Sequence, residues 1–170
     1  MGDHPVQLVV MGVTGCGKST VASLIASRTG WALAEGDDFH SANSIARMVA
    51  GYPLDDRLRA PWLAAIASWL GQRAARRESA VVSCSALRRA YRDVLRGAGP
   101  DVRMVHLAGP YEVVAKRLAA RRGHFMPPEL LASQYAVLEP LGPDEPGITL
   151  DLALSPAELT DRILRTYTPH

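Results

Sequence analysis

Eight residues near the N-terminus constrain this chain more than any other feature. Gly12-Val13-Thr14-Gly15-Cys16-Gly17-Lys18-Ser19 has the form G-x-x-x-x-G-K-[S/T]. It follows the apolar run Gln7–Met11 and precedes residues 20–28, where Val21, Leu24 and Ile25 share one helical face. A glycine-rich turn between a strand and a helix N-terminus is a phosphate cradle. The glycines let the backbone curl so that successive N–H groups converge, and the helix end adds partial positive charge. In such a cradle Lys18 neutralises the β- and γ-phosphates, and the Ser19 hydroxyl ligates Mg²⁺. Gly12, Val13, Thr14, Gly15, Cys16, Gly17, Lys18, Ser19 and Thr20 are the expected nucleotide-binding set.

Beyond the loop, strand and helix signals alternate. Residues 32–34 read as a second strand, and 41–50 as a helix with Ile45, Met48 and Val49 as its apolar stripe. Pro61 suits the first turn of a helix that runs to about residue 77. Residues 80–84 and 102–107 read as strands, with helices at 88–96, 110–122 and 129–138. A last strand at 148–152 precedes a helix opened by the capping box Ser155-Pro156-Ala157-Glu158. The alternation predicts one α/β domain over residues 1–170 with a parallel sheet, and 140–147 as its least regular loop. With 19 basic and 17 acidic residues the net charge is +2, a poor footprint for a nucleic-acid partner. Two cysteines are too few for a disulfide framework, and paired Cys/His spacing for zinc is missing. Apolar runs fall well short of the roughly 20 residues of a membrane span, and no signal-peptide pattern opens the chain. The expectation is a cytoplasmic, reduced protein with no membrane partner.

What the nucleotide is used for depends on other residues. A signalling GTPase needs an N-K-x-D segment, which this sequence lacks, and Asp144-Glu145-Pro146-Gly147 fits D-x-x-G only by chance of position. A motor ATPase places an Asp at the end of an apolar strand, whereas residues 80–84 lead into Ser83-Cys84-Ser85. Small-molecule kinases remain. They need an acidic group near the acceptor hydroxyl, cations for the transferring phosphoryl group, and a lid against water. Glu35-Gly36-Asp37-Asp38-Phe39-His40 follows the second strand, on the edge where the phosphate loop lies. One of these carboxylates could accept the hydroxyl proton and another hold Mg²⁺ through water; capping the next helix is the competing use. Arg117 and Arg121, four apart on one helical face, could steady the phosphoryl charge or simply offset a helix dipole. Arg88, Arg92 and Arg96 read as a solvated face, with Arg92 as the exception to watch, and Trp62 and Trp69 as core.

These residues together resemble the bacterial gluconate kinases. The resemblance rests on the phosphate loop with Met11, on Gly36-Asp37-Asp38-Phe39-His40, and on Pro53-Leu54-Asp55-Asp56 with Arg59 and Pro61-Trp62-Leu63. It continues through Cys84-Ser85-Ala86-Leu87, Tyr91-Arg92-Asp93, Arg117-Leu118, Arg121, Gly123-His124-Phe125, and Gln134 with Leu138-Glu139-Pro140. The blocks run in family order from about Val9 to Pro140.

The resemblance implies a five-stranded parallel sheet like that of shikimate kinase, flanked by helices, with a lid at 121–128. It implies an ATP- and Mg²⁺-dependent kinase that phosphorylates the 6-hydroxyl of D-gluconate, in a family whose members are often homodimers. By that analogy Lys18, Asp37 and Arg121 are catalytic, with Asp37 at the acceptor alcohol. His40, Arg59, Arg92, His124 and Gln134 hold the sugar acid, an arginine being suited to grip a carboxylate with two N–H groups. Arg117 and Arg121 serve the phosphates. Arg57 and Leu58 depart from the acidic residues usual before Arg59, and Ala42 departs from the residue expected after His40. Those changes bear on which acceptor is used: another sugar acid or shikimate is the enzymatic alternative, and a non-catalytic nucleotide-binding module the alternative of another class.

Overall fold

Gln7–Met11 (β1) is buried along its whole length, as a strand covered on both faces must be. The computed structural model describes residues 4–52, 54–121 and 128–168. Four further strands pair with β1 in one parallel sheet: β2 (Ala32–Glu35), β3 (Ala80–Ser83), β4 (Val102–Ala108) and β5 (Gly147–Asp151). Their order is β2-β3-β1-β4-β5. The helices among the described residues are α1 (Lys18–Thr29), α2 (Ala42–Val49), α3 (Asp56–Ala75), α4 (Arg89–Arg96), α5 (Tyr111–Ala120), α6 (Pro128–Val137) and α7 (Pro156–Tyr167). A 3-10 turn, Gly36–Phe39, leads out of β2. The α/β class and five-stranded parallel sheet are those expected from the sequence.

Alternate side chains of each inner strand serve opposite layers. Leu8 and Val10 of β1, Val81 of β3, and Val105 and Leu107 of β4 pack with Val21 and Ile25 of α1 and Leu159 and Ile163 of α7. Val9, Met11, Val82 and Met104 pack on the other side with Leu63, Ile66 and Leu70 of α3 and Leu95 of α4. Two-sided burial explains why these strands read as unbroken apolar runs. Both cysteines, Cys16 and Cys84, are buried free thiols.

Two elements differ from the sequence reading. The helix expected to open at Pro61 opens at Asp56, because the Asp55 carboxylate accepts the Leu58 N–H at 2.9 Å and caps it there. Pro61 therefore sits in the second turn, where its ring costs one main-chain hydrogen bond. In α2 the stripe of Ile45, Met48 and Val49 faces outward, 46%, 40% and 83% exposed, and the helix buries Ser44 instead. The helix leaves from the end of β2, an edge strand, and so has no sheet face beneath it.

The irregular stretch 140–147 is pinned from below. Arg92 is fully buried and grips the buried Glu145 through Nε at 2.8 Å and Nη2 at 3.1 Å. Arg89 pairs with Asp144 and lies 3.5 Å from Glu145, and Arg96 lies 3.6 Å from Glu145. The expected solvated arginine face is thus an anchor for the loop that delivers β5. The parallel strands all end at one edge of the sheet, and the loops that leave it carry the site.

Candidate active site

The phosphate loop leaves β1 between the ends of β3 and β4, the crevice where open α/β sheets bind ligands. Its start is tied to the loop after β3, since the Gly12 N–H donates to the Ser85 carbonyl at 3.2 Å. Gly12 has φ +145°, and a Cβ there would stand 2.7 Å from Cys16 Sγ and 2.9 Å from the Leu107 carbonyl. Only glycine fits that turn. Val13 and Cys16 sink their side chains into the core, anchoring the loop from below. Lys18 Nζ lies 3.0 Å from the carbonyls of Gly12 and Val13, over the cradle, and Ser19 and Thr20 are exposed in the first turn of α1.

Glu35, the last residue of β2, joins the loop to β3. One of its carboxylate oxygens accepts from Ser19 Oγ at 2.9 Å and from Ser83 Oγ at 2.6 Å. That pairing connects residues 16 and 48 positions apart, and only the strand order brings them together.

The acceptor side is built on the 3-10 turn. Gly36 packs so closely on β3 that a Cβ would stand 2.2 Å from the Ser83 carbonyl. The Trp62 Nε1–H donates to the Gly36 carbonyl at 2.7 Å, so α3 holds the turn in place. Trp62 also stacks on His40, with ring centroids 4.4 Å apart and 12° between the planes. Reading Trp62 as core captured its burial but not these two contacts with the site. Asp37 projects into solvent, its side chain 95% exposed, 3.9 Å from His40 Nε2.

Charges link the two halves. Burial lowers the proton affinity of His40; Asp37 opposes the shift and Arg59 adds to it. His40 is accordingly neutral at pH 7, able to donate or accept a hydrogen bond. Burial pushes the Cys84 thiol up to about 12, with Lys18 pulling it down and Asp37 pushing it further up. Arg59, at the end of the first turn of α3, donates from Nη1 to the Tyr91 hydroxyl at 3.0 Å.

Several expected site residues fall elsewhere. Arg92 holds no donor for a substrate. Nε and Nη2 meet Glu145, Nη1 reaches the carbonyls of Ala86 and Leu87, and Nη2 also reaches that of Pro140 at 3.4 Å. Its five N–H groups are spent inside the protein. Gln134 meets the phosphate loop: its Oε1 accepts the Thr14 N–H at 2.8 Å and its Nε2 donates to Thr14 Oγ1 at 3.0 Å. α5 ends at Ala120, and Arg121 is its extended, exposed C-cap. Arg117 donates to the Leu152 carbonyl, and its charge reaches the Cys16 thiol in the loop. His124 and most of the expected lid, 121–128, lie outside the described residues. In the sequence Glu145 belongs only to an irregular loop, and nothing within ten residues of it announces its partner Arg92.

Among the described residues no group of three or more His, Cys, Asp or Glu side chains forms a metal site, and no helix is long and apolar enough to cross a membrane.

Comparison with known proteins gives this geometry a context. Residues 8–141 match the family described as AAA domain. The gluconokinase of Gluconobacter oxydans (strain 621H) is 44% identical over 167 residues, covering 98% of this chain and 94% of that protein. The crystal structure of a gluconokinase from Sinorhizobium meliloti 1021 superposes with a TM-score of 0.85 at 44% identity, over 96% of this chain and 92% of the other. Shikimate kinase from Aquifex aeolicus vf5 shares the fold alone, with a TM-score of 0.57 at 15% identity over 95% of each chain.

Proposed function

The chain belongs to the gluconokinase family, and from that premise we propose that it transfers the γ-phosphoryl group of ATP to the 6-hydroxyl of D-gluconate, giving 6-phospho-D-gluconate and ADP. One observation carries the reading beyond the family. The phosphate loop and the turn that carries Asp37 are both tied to the end of β3, through Glu35 between Ser19 and Ser83 and through Gly36 packed on the Ser83 carbonyl, so a phosphate donor and an alcohol acceptor fit on one edge of the sheet.

In this mechanism the loop amides and Lys18 hold the triphosphate, with Thr20 in the first turn of α1. Asp37 orients the 6-hydroxyl and takes its proton as the oxygen forms its bond to the γ-phosphorus. The bond from that phosphorus to the bridging oxygen breaks, and ADP leaves. Because the transition state is loose, positioning and charge stabilisation supply most of the acceleration. Arg117 and Arg121 supply positive charge to the transferring group. His40, neutral and held flat on Trp62, offers hydrogen bonds to the sugar hydroxyls, and Arg59 offers its charge to the carboxylate.

Ser19 and Glu35 fit a hard cation, since a hydroxyl and a carboxylate 2.9 Å apart are the oxygen donors that Mg²⁺ takes. They would hold the ion, in part through water, and when bound it would offset the charge on the phosphate oxygens. The reading takes 1–170 as one catalytic domain and places the enzyme in the cytoplasm, in carbohydrate metabolism.

The test is the position of the new phosphate. After incubation of the enzyme with Mg²⁺-ATP and D-gluconate, phosphorus–carbon coupling in the NMR spectrum should identify C6 as the phosphorylated carbon. Phosphate on another carbon, or unchanged gluconate, would overturn the assignment.

A further inference from the structure

We propose that Tyr91 is a positioning residue, which turns the guanidinium of Arg59 so that its Nε/Nη2 edge receives the carboxylate of the acceptor. The inference rests on the gluconokinase reading and explains how that site tells a sugar acid from a neutral polyol.

Three contacts fix Arg59. Its Nη1 donates to the Tyr91 hydroxyl oxygen at 3.0 Å and lies 3.4 Å from Asp56 Oδ1. Its guanidinium carbon stands 5.4 Å from the centre of the Tyr91 ring, within cation–π range. The Tyr91 O–H donates to Asp56 Oδ1 at 2.6 Å. With its proton committed to Asp56, the phenol presents a lone pair to Arg59. The Tyr91 bond, more than any other contact, keeps the Asp56 carboxyl below the usual carboxylate range, so the acceptor for that proton stays ionised at neutral pH.

These contacts consume one side of the guanidinium and leave the other. Among the described residues, Nε and Nη2 of Arg59 make no hydrogen bond, and the side chain is 32% exposed. The Nε/Nη2 edge is a two-pronged donor that matches the two oxygens of a carboxylate. The same molecule shows that match in use, because Arg92 holds the carboxylate of Glu145 through Nε at 2.8 Å and Nη2 at 3.1 Å. Arg59 offers the same edge, unspent. Arg59 lies three residues before Trp62 on α3, and Trp62 stacks on His40 and donates to the Gly36 carbonyl, so this face of the helix borders the acceptor side of the crevice.

An arginine free to rotate would lose entropy on clasping a carboxylate. One already held by a hydroxyl and a ring loses less. A neutral polyol has no group to take the fork and would leave its donors to water.

Tyr91→Phe tests this directly, since it keeps the ring and removes only the hydroxyl. Steady-state rates would be measured with D-gluconate, with D-glucitol as the neutral counterpart, and with varied ATP, alongside the melting temperature. Loss of a hydrogen bond to a charged group predicts a rise of about tenfold in the KM for gluconate, with kcat within about twofold. The KM for ATP and the melting temperature should not move, and the preference for gluconate over glucitol should fall by a similar factor. An unchanged gluconate KM, in a background where the wild-type enzyme phosphorylates gluconate, overturns the role given to Tyr91. So does a parallel rise in the ATP KM with a lowered melting temperature, which marks a merely structural residue. A wild-type enzyme inert toward gluconate would instead overturn the functional reading on which the inference stands.

Discussion

Arg59 and Arg92 put one kind of side chain to opposite uses, and the difference is the edge of the guanidinium each has left. The resemblance to the gluconate kinases puts Arg92 at the substrate. Its five donors close instead on Glu145 and three carbonyls. A buried arginine and carboxylate must be paired, since losing one partner costs about 3–5 kcal/mol. The partner lies 53 residues away, a separation at which the local pattern carries no information. By contrast the phosphate loop was legible residue by residue, because its chemistry is contiguous. His106, in the centre of β4, is a further consequence of the same burial. It is 2% exposed, and burial, with the nearby charge of Arg92, depresses its pKa to about 4. Between that value and the unfolded pKa of about 6.5 the unfolded chain binds more protons, so stability falls as the pH drops through this window. The loss attributable to His106 is on the order of 3 kcal/mol. Urea unfolding from pH 7.5 to 4.5 should show it in the wild type, and a His106→Leu variant should show a shallower decline. Equal slopes for the two proteins would remove His106 from the acid response.

At the scale of elements, the contact between α6 and the phosphate loop changes the picture most. Gln134 closes two hydrogen bonds on Thr14, one to the main-chain N–H and one to the hydroxyl. A helix from the far half of the chain therefore holds the loop in shape. Each neutral hydrogen bond contributes about 1 kcal/mol. Gln134→Leu should accordingly raise the KM for ATP by roughly five- to thirtyfold, for one bond or both, and leave that for gluconate nearly unchanged. A rise confined to gluconate would return Gln134 to the sugar pocket where the family pattern put it. The helices themselves were legible from periodicity and caps, and the Ser155 capping box is present as expected. What periodicity does not show is a partner. The stripe on α2 has the right spacing to be buried, yet Ile45, Met48 and Val49 face outward because the helix leaves an edge strand. Asp55, not Pro61, starts α3, because a carboxylate that satisfies a free N–H outweighs a ring that merely tolerates lacking one.

For the molecule as a whole, strand order does what the sequence pattern leaves open. The alternation of strands and helices implies a parallel sheet, and a parallel sheet gathers its loops at one edge. That much follows from periodicity. The order β2-β3-β1-β4-β5 then decides which loops become neighbours. It places Glu35 against Ser19 and Ser83, and it brings the 3-10 turn of Asp37 and His40 to the same sheet edge as the phosphate loop, across the end of β3. Through that arrangement this edge joins ATP to a sugar acid. This is tested by ADP release from Mg²⁺-ATP in the presence of D-gluconate, other sugar acids, shikimate, AMP or no acceptor. Rapid release is expected with D-gluconate, and at most background with shikimate, AMP or no acceptor. Release driven best by one of those others, or none from folded protein that binds ATP, would contradict it.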